Sequence, residues 1–180
     1  DQTTTGHLWL LHTLGVVPTV GWQLDPFGHA AVQASLFTAR AGFDALYFGR
    51  IDFQDLALRR KRQACEGLWQ PSQRGPSSPL SSTNTEIRQN DDSDSVVPPI
   101  FWGLTGEYGG NYGPPGGFCF DILCGDESLV NDNQTRLLER TEIFVQDLAR
   151  QANETVGNHI MVTMGSDFHF QNAAINFANM

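Results

Sequence analysis

Apolar side chains change their spacing several times along this chain, and each change predicts an element. In "TTTGHLWLLHTLG", Leu8, Leu11 and Leu14 recur at helical spacing, with threonines ahead to cap the start and Gly15 to stop the end. The next stretch, "VVPTVGWQL", reads as a strand with an irregular start at Pro18. From Ala30 to Ala41, "AAVQASLFTARA" is helix-forming and ends at Gly42. The order then repeats: "ALYFGR" is a short apolar strand, and "FQDLALRRKRQACEGLW" reads as one amphipathic helix with a basic cluster at 59–62. Near the end come a helix from about Thr135 to Gln151, a strand "HIMVTMG" and a final helix "FQNAAINFANM".

Short, almost wholly apolar strands alternating with helices predict an α/β fold with a mostly parallel sheet covered by helices. In such sheets functional residues gather at the carboxyl ends of the strands. Between the two halves, residues 70–98 are rich in Ser, Pro, Asn and Asp and nearly empty of large apolar side chains. That composition buries too little surface to offset its ordering entropy, so this segment is expected to be a disordered insertion. The following "FWGLTGEYGGNYGPPGGF" mixes Gly and Pro with aromatics. It reads as a loop, either lining a pocket or packed on itself. No internal repeat is present.

Composition narrows the partners. The 180 residues carry 20 Asp+Glu against 11 Lys+Arg, a formal charge of -9. No broad basic surface is available, so neither nucleic acid nor an anionic membrane is an expected partner. The most apolar window, "HLWLLHTLGVVPTVGWQL", is interrupted by His, Gly and Pro, and no membrane span is expected from it. The chain opens at Asp1 without a leader, so it is read as a piece of a longer polypeptide, with any targeting signal outside it.

Candidate chemistry sits where the strands end: Asp25 after "VGWQL", Arg50 after "LYFG" and Asp167 after "IMVTMGS". In a parallel sheet all three would meet at one rim. Each also has a plainer reading, the two aspartates as helix N-caps and the arginine as a surface ion pair. Two carboxylates facing across a cleft are the minimum equipment for glycoside hydrolysis, one attacking or activating water and the other protonating the leaving oxygen. His29, His159 and His169 form no H-E-x-x-H or other tight ligand pair, so the sequence holds no closed metal site by itself. There is no phosphate-binding glycine loop and no G-x-S-x-G. Cys119 and Cys124 in "CFDILC" are either small apolar side chains or a disulfide pair. The sequons at Asn133 and Asn153 favour an oxidising, lumenal compartment.

Four stretches, "GWQLDPFGHAAVQASLF", "GFDALYFGRIDFQD", "NYGPPGGFCFDILC" and "HIMVTMGSDFHFQNA", come in an order and spacing that resemble glycoside hydrolase family 38, the α-mannosidases. The style is that of the lysosomal or vacuolar type rather than the Golgi type, and the resemblance covers nearly the whole chain outside the insertion. It implies part of an N-terminal catalytic domain spanning 1–180, an incomplete seven-stranded β/α barrel-like sheet, and a retaining, zinc-dependent exo-α-mannosidase acting on N-glycan oligosaccharides. By that resemblance Asp25 is the nucleophile and a zinc ligand, and Asp167 is the general acid/base. Phe27, Arg50 and Tyr112 line the mannose subsite, and Cys119 and Cys124 close a disulfide loop. It also places the protein in the lysosome or vacuole. The partners it implies are a mannose-containing oligosaccharide and the rest of the same polypeptide, and it allows a homodimer.

Departures from the family pattern carry their own expectations. Gly113 follows Tyr112 where the family usually has Asp or Asn, so a polar substrate contact is missing. The remaining zinc ligands lie outside residues 1–180, so this chain alone is expected to be inactive. Two other readings stand beside the enzyme: a glycan-binding homologue that lost activity, and a Golgi-type processing enzyme.

Overall fold

The computed structural model describes residues 1–71, 97–105, 113–119, 121, 128–130 and 133–179. The expected insertion falls largely on 72–96 and so lies outside the described residues, as do Tyr112 and Cys124.

Helix α1 runs Gln2–Leu14 and ends as expected on Gly15, which is left-handed at φ 68°. Strand β1 is Val20–Gln23 and β2 is Ala45–Phe48. Between them α2, Val32–Ser35, continues as a π-helical turn over Leu36–Arg40. Helix α3 is Phe53–Lys61, β3 is Glu66–Trp69, β4 is Ile100–Leu104, α4 is Gln134–Ala152 and α5 is Ala173–Asn179.

The four strands form one sheet in the order β1-β2-β4-β3. Asp44 N donates to Thr19 O and Gly49 N to Gln23 O, so β1 and β2 advance together. Phe101 N to Asp44 O and Thr105 N to Phe48 O set β2 and β4 parallel in the same way. The β3–β4 pair runs the other way: Leu104 N donates to Cys65 O, while Gly67 faces Trp102. The sheet is therefore mostly parallel, as expected, with an antiparallel edge strand.

Four expectations about elements fail. No threonine caps α1, because the helix starts at Gln2 with Asp1 at the N-cap position and Thr3, Thr4 and Thr5 lie inside it. The single helix over 53–69 is a helix followed by a strand, because Gln63 takes φ +54° and breaks the helix just past its basic last turn. The aromatic loop from 101 begins as a strand, its apolar start pairing with both β2 and β3. "HIMVTMG" forms no strand; Met161 O accepts from Gln151 Nε2 at 2.7 Å, and Thr163 Oγ1 donates to Gly113 O at 3.2 Å. Asp167 therefore opens a turn ahead of α5 rather than ending a strand.

The chain divides into two compact units. The first contains Asp1–Gly21, His29–Leu46 and Leu68–Phe101, and its core gathers on Phe43, which stacks on Phe37 at 5.1 Å and meets the His7 ring at 5.2 Å. Buried Ala34, Leu46 and Ile100 complete it. The second contains Trp22–Gly28, Tyr47–Gly67 and Trp102–Met180. Here Phe48 stacks on Trp102 at 5.5 Å, and Arg59 lies over the same indole at 5.0 Å. A Cβ on Gly103 would stand 2.5 Å from the Tyr47 ring, so that close approach needs glycine. Among the described residues no helix is long and apolar enough to cross a membrane.

Candidate active site

The carboxyl ends of the parallel strands all belong to the second unit. Asp25 lies just past β1 and Arg50 just past β2, and their side chains form an ion pair. The same guanidinium sits 4.9 Å from the centre of the Phe27 ring. Gly28 explains how Phe27 reaches back toward Arg50. Its φ of +116° is open to glycine, so the chain can turn sharply after Pro26-Phe27. Phe27 is 87% exposed, and its ring is thus available as a platform for a ligand face.

Trp22 Nε1 donates to Thr105 Oγ1 at 3.3 Å, and buried Thr105 donates its own N–H to Phe48 O, locking the end of β4 to β2. Thr105 is a site-supporting residue that the sequence reading missed, because a threonine inside a Gly-rich segment gives no spacing signal.

Asp167 is exposed at the start of its turn. The turn is tied from below by Asp121, a buried residue that the sequence reading also missed. Its Oδ2 accepts from Phe170 N at 2.9 Å and from Asn176 Nδ2 at 3.1 Å. From the same stretch, Cys119 Sγ lies 3.6 Å from His169 Nε2. The loop following Tyr112 is fixed in a similar way: Gly116 N donates to the buried Asp147 carboxylate on α4 at 2.6 Å.

Of the histidines, His29 packs against Trp69 at 6.4 Å and His169 against Phe170 at 6.4 Å. His159 lines a cavity of about 310 Å³ in the second unit. That cavity also holds the ion pair of Arg60 with Glu154, 3.1 Å long. Burial raises the Glu154 carboxyl above its ordinary range, and Arg60 opposes the rise. Asp25, Phe27 and Arg50 do not line the cavity, whereas Gly49 and Thr105 do. Among the described residues no group of three or more His, Cys, Asp and Glu could hold a metal. The donor that this chain brings, the Asp25 carboxylate, suits zinc in kind but supplies one position of a tetrahedral set.

The two sequons differ in setting. Asn133 caps α4, its Oδ1 accepting from Arg136 N at 2.8 Å, while Asn153 follows the last turn of the same helix and is exposed.

A carboxylate paired with a guanidinium beside an exposed aromatic ring, at the carboxyl rim of parallel strands, is one half of the two-carboxylate equipment that glycoside hydrolysis needs. Comparison with known proteins gives the family. The model of the glycosyl hydrolases family 38 N-terminal domain matches residues 1–180, and the chain belongs to that family. It is 42% identical over 178 residues to a probable alpha-mannosidase of Arabidopsis thaliana, covering 96% of this chain and 15% of that protein. With the lysosomal alpha-mannosidase of Cavia porcellus it shares 37% identity over 185 residues, covering 100% of this chain and 16% of the relative. The corresponding human lysosomal enzyme is 35% identical over 185 residues, with the same coverage. The chain thus spans about one sixth of the length of these relatives.

Proposed function

We propose that the full-length protein is a retaining, zinc-dependent exo-α-mannosidase that removes terminal α-linked mannose from N-glycan oligosaccharides in a lysosome or vacuole. The observation that carries the reading is the cluster of Asp25, Arg50 and Phe27 in one unit, within a chain whose whole length matches family 38. In this reading the rest of the polypeptide completes the seven-stranded sheet and supplies the further zinc ligands. Homodimerisation is the assembly to measure.

Asp25 attacks the anomeric carbon while the Asp167 carboxyl gives its proton to the departing glycosidic oxygen as the C1–O bond breaks. A covalent mannosyl ester on Asp25 results. Asp167, now a carboxylate, takes a proton from the water that attacks C1, and the Asp25 carboxylate leaves, restoring the original anomeric configuration. Arg50 holds the nucleophile in line through its ion pair, and the Phe27 ring offers an apolar face to the sugar. Zinc, where bound, would supply Lewis-acid charge and a grip on vicinal hydroxyls. We further propose that Cys119 and Cys124 are bridged, that Tyr112 lines the same subsite, and that Asn133 and Asn153 carry glycans.

Full-length protein incubated with an aryl α-mannoside, at acidic and near-neutral pH and with or without a chelator, tests the reading. Turnover that releases α-mannose first, is lost on thorough metal removal and returns with zinc is expected. No turnover under any condition rejects the enzyme, and turnover indifferent to metal removal rejects the zinc.

A further inference from the structure

The turn that carries Asp167 is strained. Phe168 and Phe170 both take φ +62°, a conformation that bulky L-residues rarely adopt, and Asp167 is bonded directly to the first of them. Such strain persists only when surrounding contacts over-determine it. The side chain of Phe168 is not what holds it, because 77% of that residue is exposed and little apolar burial is gained. The backbone is held instead. His169 N donates to Ser166 O at 3.1 Å inside the turn, and Phe170 N donates outward to the Asp121 carboxylate at 2.9 Å. The same Oδ2 accepts from Asn176 Nδ2 on α5 at 3.1 Å, so one buried oxygen links the turn to the helix that follows it. A charged acceptor strengthens both bonds, and its burial fixes their direction.

We propose that Asp121 is a positioning residue: its buried carboxylate clamps the strained 167–172 turn so that the Asp167 carboxyl is aimed at the glycosidic oxygen. This rests on the reading of Asp167 as the acid/base. A carboxylate buried merely for stability would have no reason to act on one chemical step. The clamp acts on one: protonation of the leaving group, which matters only when that group is a poor one.

The test uses the full-length protein and two substrates, an α-linked mannobiose with a poor leaving group and 2,4-dinitrophenyl α-mannoside with a good one. For Asp121→Ala, kcat/KM on the mannobiose is expected to fall roughly 100-fold, the cost of misplacing a reacting group by an ångström. On the dinitrophenyl substrate the fall is about threefold or less, since departure there needs little proton transfer. Asp121→Asn, which keeps an acceptor oxygen, should recover much of the loss. Asn176→Ala should show the same leaving-group dependence on a smaller scale, and these two variants carry the comparison if Asp121→Ala does not fold. Equal losses on the two substrates, or no loss on either, overturn the clamp. Asp167→Ala is the control. If it shows strong leaving-group dependence while the Asp121 and Asn176 variants show none, only the clamp falls. If it shows none itself, the acid/base reading falls and takes the clamp with it.

Discussion

Arg50 serves two neighbours at once, and its geometry is specific to a guanidinium. The flat, delocalised group both pairs with Asp25 and lies over Phe27, whereas an ammonium would be a point charge with a tighter water shell. Arg50→Lys in the full-length protein is therefore expected to lower kcat/KM on an aryl α-mannoside by about 10- to 100-fold. A steady-state assay showing wild-type rates would remove Arg50 from the site. Gly113 offers a gain-of-function test at the same scale. Among the described residues a Cβ added there meets nothing within 4 Å, so the first atom of an aspartate side chain is accommodated at Gly113. If the residue after Tyr112 contacts substrate, the added carboxylate should lower KM by about tenfold, the worth of a charge-assisted hydrogen bond. An unchanged KM would mean that the missing contact is not used. Asp25 and Arg50 stood out in the sequence as charged residues just past strand ends, whereas Phe27 came only from the family resemblance. Asp121 and Thr105 did not stand out, since their importance comes from burial and from partners 49 and 83 positions away in sequence.

Element boundaries depended on events that a hydrophobic pattern does not record. The amphipathic period of "FQDLALRRK" continues by chance into "QACEGLW", and the break at Gln63 is a backbone choice. The end of α3 is favoured by Arg59, Arg60 and Lys61 against the helix dipole, and its beginning by Asp52, whose side chain accepts from Gln54 N and Asp55 N. Asp52→Ala should cost about 0.5–2 kcal/mol of stability, read as a lower unfolding midpoint of the full-length protein. No change would show that the cap is replaced by water. Asn133 presents two roles that can be separated. Thr135→Ala destroys the sequon but leaves the Asn133 cap on Arg136 N in place. A mass loss of one glycan without a fall in melting temperature is expected, and an unchanged mass would reject the glycan at Asn133.

At the scale of the whole molecule, the parallel pair β1 and β2 with the helix between them follows from the alternation that the sequence displayed, while β4 and the reversed edge strand β3 do not. Its antiparallel direction is set by pairing with β4, whose own apolar run is camouflaged by the glycines around it. Cys65 stands at the entrance to β3, 3% exposed, donating its backbone N–H to Glu154 O at 3.2 Å and accepting from Leu104 N. Burial pushes its thiol up to about 11; Glu154 and Glu66 add to the rise, and Arg60 and Arg59 oppose it. Folding therefore favours the protonated thiol. The resulting contribution to stability is complete below the ordinary thiol value of 9.0, is lost as pH rises toward about 11, and is flat above that. Cys65→Ala removes this titration, although the smaller side chain lowers stability at every pH. The melting temperature of the full-length wild type should thus fall more steeply than that of Cys65→Ala between pH 9 and 11, and the gap between them should narrow. Parallel declines would show that Cys65 does not titrate differently on folding.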